Sequence, residues 1–209
     1  MTGVAVYLEE GSKRVFAGAL EWPGWIRSGK DERQALAALA AAAERYSPVA
    51  RAAGFPLPPG AGEFEVVERL KGNGTTDFGA PGLPAEADSR PLSAEEAERQ
   101  RALLEACWKA LDQVVAGAPA ALRKGPRGGG RDRDAIVQHV LGAESAYAPK
   151  LGLKLKQPLA AEARAVAAFR AAILTGLDAG GGSWPSRYAA RRIAWHALDH
   201  AWEIEDRSR

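Results

Sequence analysis

A single cysteine, Cys107, stands in this chain of 209 residues, so no internal disulfide can form and every metal motif built on several thiolates is excluded. A reducing, cytoplasmic setting is expected. The chain also lacks an excess of one charge: 28 basic and 26 acidic residues leave a formal charge of +2. That is too near balance for the broad electrostatic footprint of a nucleic-acid binder, so nucleic acid is not expected as the main partner. Long apolar runs are missing too. The longest, Ala35 to Ala43, is mostly alanine and far shorter than a bilayer span, and Met1 to Glu10 carries no basic segment followed by an apolar core. Neither export nor membrane insertion is expected. No Walker A, dinucleotide fingerprint, GxSxG or HExxH pattern occurs. Histidine is scarce as well, with only His139, His196 and His200, so an imidazole-based metal site would have to use nearly all of them.

What is present reads as an ordinary globular protein, 46% hydrophobic and 26% charged. Residues 71–91 concentrate Gly, Pro, Asp and Thr without apolar periodicity, which divides the chain into an α+β unit (1–75), a linker (76–91) and a helical unit (92–209). In the first unit, Val4–Leu8 and Arg14–Glu21 are β-rich runs around the turn-like Glu10-Gly11-Ser12, the pattern of a hairpin. Asp31 with Gln34 can cap a helix running through the alanine-rich stretch to about Arg51, and Phe64–Leu70 alternates as a further strand.

After the linker, Ser93 and Glu96 form a capping box for a helix reaching Gly117. Asp132 can cap a second helix, ending before Pro149. Pro158 suits the first turn of a third, stopped by Gly180-Gly181-Gly182, and Ser183 with Pro185 opens a fourth reaching about Arg207. Four helices joined by short to medium loops make an all-α up-and-down four-helix bundle the expected architecture. The glycine-rich basic loop Arg123 to Arg133 needs no role beyond a solvated connection, although it could attract an anion.

His196 and His200 are four residues apart, so they project from neighbouring turns of one helix face and can approach a single ion. His139 lies at the edge of the stripe Ile136, Val140, Ala143 and Tyr147 on the second helix, and contact between the second and fourth helices would complete a three-imidazole set. Such a set leaves coordination positions open, as in catalytic sites, and suits zinc or nickel first, with iron or copper also within range. Arg192, Asp199 and Glu203 share the histidine arc, which reads as a polar bundle mouth. Glu203 is a candidate to add a ligand or to orient an imidazole, Glu203 and Asp199 are candidates for proton transfer, and Arg192 is a candidate to hold an anionic substrate group. Trp22 and Trp25 around Pro23-Gly24 are expected to pack at a domain interface, Trp195 with Trp202 to make core or dimer contacts, and Cys107 to be an inert buried thiol.

QHVLGAESAY at 138–147, in which Glu144 follows His139 by five positions, and RYAARRIAWHALDHAWEIEDR at 187–207, which contains an HxxxH pattern, resemble the DinB-like family of metal-binding four-helix bundles over roughly residues 92–208. That resemblance implies His139, His196 and His200 as metal ligands. It also brings a class of activities, since members include metal-dependent transferases and an isomerase that use low-molecular-weight thiols. FAGALEWPGWIRSGKDERQAL at 16–36 resembles the HicB-type antitoxin fold, without a DNA-binding motif after it. The expectation is a metal-dependent enzyme that activates a thiol or water on a small-molecule substrate in the cleft between the two units, with a homodimer compatible. The competing expectation is a non-catalytic regulatory module of antitoxin-like type that acts through protein contacts.

Overall fold

The β-branched and aliphatic residues of the N-terminal segment build a four-stranded sheet in the computed structural model, which describes residues 3–125 and 129–209. Strands β1 (Val4–Glu10), β2 (Val15–Ala19), β3 (Ile26–Gly29) and β4 (Phe64–Lys71) lie in the order β3-β2-β1-β4. The expected hairpin forms, with Val6 opposite Ala19 and Glu10 opposite Val15. β4 closes the other side of β1 in parallel, after a crossover through helices α1 (Glu32–Ala41) and α2 (Ala43–Ala52). Asp31 caps α1 as expected, accepting from the Gln34 backbone at 2.8 Å, but the single helix foreseen to Arg51 divides at Ala42.

Residues 76–91 are more than a linker. Helix α3 (Gly74–Phe78) and a 3-10 turn at Glu86–Ser89 form a strap across the sheet. The buried Glu9 carboxylate on β1 accepts from Thr76 Oγ1 at 2.5 Å, from the Gly82 amide at 2.9 Å and from the Leu83 amide at 3.1 Å. Backbone donors that composition alone would leave to water are thereby satisfied from the sheet.

Four longer helices follow: α4 (Ala94–Gly117), α5 (Arg133–Tyr147), α6 (Ala163–Ala179) and α7 (Ser186–Arg207). The Ser93–Glu96 capping box is reciprocal, as the sequence predicts. Asp132 occupies the N-cap position of α5, but its carboxylate accepts from the Leu122 amide and Lys124 instead of capping. α6 begins at Ala163 and not near Pro158, because the Gln138 side chain holds the Pro158 carbonyl and the Ala160 amide in an extended approach. Pro126, Arg127 and Gly128 of the basic loop lie outside the described residues, as do Met1 and Thr2. Among the described residues no helix is long and apolar enough to cross a membrane.

The architecture is therefore mixed α+β, a sheet followed by a helical region, with α7 contacting α4, α5 and α6. Val4, Val6 and Leu8 join one contiguous core that continues through Leu39 and Tyr46 to Leu103, Ile136, Ile173 and Leu198. The opposite face of the sheet meets α7, where Phe16 and Ile26 pack on Trp195. The Trp22–Trp25 turn packs on the other side, in the contiguous core with Leu39 and Tyr46. Trp25 donates to the Leu39 carbonyl at 2.9 Å and stacks on Tyr46, whose hydroxyl donates to the Pro23 carbonyl at 2.7 Å. Gly24 has φ +92°, and a Cβ there would lie 2.8 Å from Cys107 Sγ, so the turn reaches α4 only with glycine.

Candidate metal centre

α7 carries His196 and His200 on successive turns, and its contact with α5 brings His139 to them. The ring centroids are 5.1 Å apart for His139–His196, 5.0 Å for His139–His200 and 4.7 Å for His196–His200. One nitrogen from each lies within 4.8 Å of the others. An ion bound at about 2.1 Å would need nitrogens roughly 3.4 Å apart, which small side-chain rotations can supply.

Burial, with smaller contributions from His200 and Arg192, pushes the His196 imidazole down to about 2 from its usual 6.5. Burial and His200 also lower His139. Both rings therefore favour the neutral form, whose lone pair is what a metal takes. His196 Nδ1 is buried without a hydrogen-bond partner, the kind of orphaned polar atom that an ion or a water satisfies. His200 is oriented from behind: its Nδ1 lies 2.7 Å from Glu203 Oε2, and Arg207 donates to Glu203 Oε1 at 2.6 Å. The hydrogen bond from His200, reinforced by Arg207, holds the Glu203 carboxyl below the usual carboxylate range. This donor set fits a divalent transition metal.

Arg192, one turn before His196, is only 8% exposed. Its guanidinium lies over the rings of Trp195 at 4.7 Å and Tyr147 at 5.3 Å, and its Nη1 has no partner. The arc that reads as a solvated bundle mouth is thus largely enclosed on its Arg192–His196 side, because Tyr147 and Trp195 cover it. The Tyr147 ring is 6.4 Å from His196; two turns along α5 from His139, it belongs beside the cluster, although the sequence places it in the apolar stripe.

Asp199 does not join the histidines. It pairs with Arg27 of β3 at 2.8 Å, and Arg27 in turn stacks over Trp202 at 3.9 Å. Between the sheet unit and α7 a cavity of about 550 Å³ is lined by Arg27, Arg45, Asp199, Trp202 and Glu203, and the histidines are not among its lining residues. Glu144 also stays away from the cluster. It accepts from Trp108 Nε1 at 2.7 Å in the α4–α5 interior, where burial raises its carboxyl to about 7. Cys107 is buried against the Pro23 carbonyl, and burial pushes its thiol well above its ordinary value.

Neither a family model, nor a curated protein, nor a solved structure matches the chain.

Proposed function

We propose that the chain is a DinB-like protein in which α4–α7 form an up-and-down four-helix bundle that holds one divalent transition metal on His139, His196 and His200. On this reading it is a metal-dependent enzyme of thiol transferase or hydrolase type. The observation that carries the reading is the convergence, from two helices, of the chain's only three histidines on one point. Zinc or nickel suits three neutral imidazoles with open positions best, and iron or copper remains within the same donor chemistry. When bound, such an ion supplies a Lewis acid that lowers the pKa of a thiol or water, making a nucleophile available near neutral pH.

The chain's own groups divide the remaining work. Glu203 Oε2 accepts the proton on His200 Nδ1, which fixes the tautomer and leaves Nε2 as the free donor atom. Arg192 offers a buried positive charge with an uncommitted N–H one turn from His196, suited to an anionic group of a small substrate. Asp199, committed to Arg27, is a strut between β3 and α7 and not a proton carrier. The N-terminal unit, HicB-like in its strand–turn–helix segment, serves as packing for α7, and a cytoplasmic location suits the lone buried cysteine. A low-molecular-weight thiol is the substrate class we favour.

Cobalt(II) tests the reading spectroscopically. Metal-free, untagged protein loaded with equimolar cobalt and titrated with glutathione or N-acetylcysteine should develop a thiolate-to-cobalt absorption band, absent in His196→Ala and His200→Ala. A cobalt spectrum unaffected by either thiol would remove the thiol chemistry, and failure to bind cobalt would remove the metal site.

A further inference from the structure

Glu144 is a buried ionisable group that the histidine cluster does not use, and it ends a chain of side chains spanning α4, α5 and α6. Trp108 of α4 donates its indole N–H to Glu144 Oε1 at 2.7 Å. The Arg170 guanidinium of α6 lies 5.3 Å from the centre of the Trp108 ring, and its Nη1 donates to Asp112 of α4 at 2.8 Å. The Asp112 side chain is 60% exposed, whereas Glu144 and Arg170 are 1% and 9% exposed.

Two complementary atoms are left over inside this chain. Glu144 Oε2 and Arg170 Nε are both buried with no hydrogen-bond partner among the described residues. The first is an acceptor when the carboxyl is ionised, and the second is a donor at every accessible pH. Both are closed to solvent, so their partners have to come from within the protein, where buried polar groups ordinarily find one.

Protonation decides how strongly the two attract. A carboxylate accepts a charge-assisted hydrogen bond, roughly twice as strong as the bond a neutral carboxyl accepts. Burial lifts the Glu144 carboxyl to about 7; the Arg170 charge and the Trp108 hydrogen bond oppose the rise, and Asp112 adds to it. The other charged or titratable neighbours lie to the side: Tyr147 on α5 itself, Arg192 of α7 over Tyr147 and Trp195, and the exposed Lys150 in the turn after α5.

We propose that Arg170 and Glu144 form a pH-operated clamp: when the Glu144 carboxyl releases its proton to solvent, Arg170 Nε moves onto Oε2 while Nη1 keeps Asp112, so that one guanidinium joins α4, α5 and α6. Acidification returns the proton and leaves Arg170 to Asp112 alone. Trp108, bonded to Oε1 and stacked under the guanidinium, is the pivot in both states. The clamp stands independently of any metal at the histidines.

The test follows the Trp108 indole N–H and the Arg170 Nε–H by NMR in the metal-free, nitrogen-15-labelled full chain between pH 5 and 9. Both resonances should move through one shared midpoint near 7, and above it the Arg170 Nε–H should exchange with water at least about tenfold more slowly. Glu144→Gln should abolish both titrations. Arg170→Leu should raise the Trp108 midpoint, because the carboxylate loses its partner, and Asp112→Asn should leave both titrations in place. An Arg170 Nε–H that stays unchanged while Trp108 titrates would overturn the clamp, as would a Trp108 indole that does not titrate in this range. The parent chain decides between these outcomes by itself, so the test survives a variant that fails to fold.

Discussion

His200 Nδ1 lies 2.7 Å from Glu203 Oε2, three residues on along the same helix, and the far oxygen of that carboxylate is held by Arg207 at 2.6 Å. The imidazole is thus aimed from behind by a carboxylate that is itself anchored. Glu203→Ala should therefore lower zinc affinity by about 10–100-fold while the chain stays folded. Asp199→Asn should leave zinc affinity unchanged, because Asp199 faces Arg27. Competition with a chromophoric chelator measures both.

The His196 imidazole stays neutral down to about pH 2 in the folded chain, against 6.5 ordinarily, because burial opposes its charge. Between those values the unfolded chain carries a proton that the folded chain refuses, so stability falls as pH drops below 6.5. For this one group the slope is at most about 1.4 kcal/mol per pH unit. In metal-free protein, urea unfolding at pH 7, 6 and 5 should show His196→Leu losing less stability on acidification than the parent. Parallel pH profiles would contradict the assignment.

Glu144 predicts the opposite sign. Burial raises its carboxyl from 4.5 to about 7, with Trp108 and Arg170 opposing the shift only in part. Between those values the folded chain holds a proton that the unfolded chain has lost, so its cost to stability grows as pH rises to 7 and persists above. Glu144→Gln keeps an acceptor for Trp108 and should stabilise the protein by about 1–3 kcal/mol at pH 8, with little effect at pH 5. Calorimetric unfolding at the two pH values checks this.

Besides Glu9, an enclosed ion pair holds the strap. Asp88 meets Arg191 on α7 through both carboxylate oxygens, each side chain is 1% exposed, and the guanidinium lies 4.8 Å from the Tyr7 ring. Asp88→Ala would leave Arg191 buried and uncompensated, at a cost of about 3–5 kcal/mol. Denaturant unfolding reads the loss directly, and a change below about 1 kcal/mol would show that water replaces the carboxylate.

Local features were legible in the sequence. The Asp31 cap, the Ser93–Glu96 box, the β1–β2 hairpin and the existence of α4–α7 all rest on interactions within a few residues. The i, i+4 relation of His196 and His200 follows from helix geometry, and only the approach of His139 required a guess about which helices touch. What escaped depends on distant partners. β3 is four residues that follow Pro23-Gly24 and end on Gly29, and it is fixed by pairing with β2. The segment 76–91 has the composition of a linker but is ordered by Glu9 and Arg191, far away in sequence. The polar arc of α7 reads as solvated because its cover is nonlocal: Tyr147 of α5 lies over Arg192, while Arg187 and Arg191, on the other side of the helix, are neutralised by Glu21, Glu96 and Asp88 from earlier in the chain. Asp199 shares the helical arc of the histidines, but its partner Arg27 is 172 residues earlier.

The most direct test of the histidine cluster is the metal content of the untagged protein, purified without added metal and measured by inductively coupled plasma mass spectrometry. The account predicts close to one transition-metal ion per chain, lost in His139→Ala, His196→Ala and His200→Ala variants that remain folded. No stoichiometric metal in the parent, together with unchanged stability in His196→Ala, would contradict it.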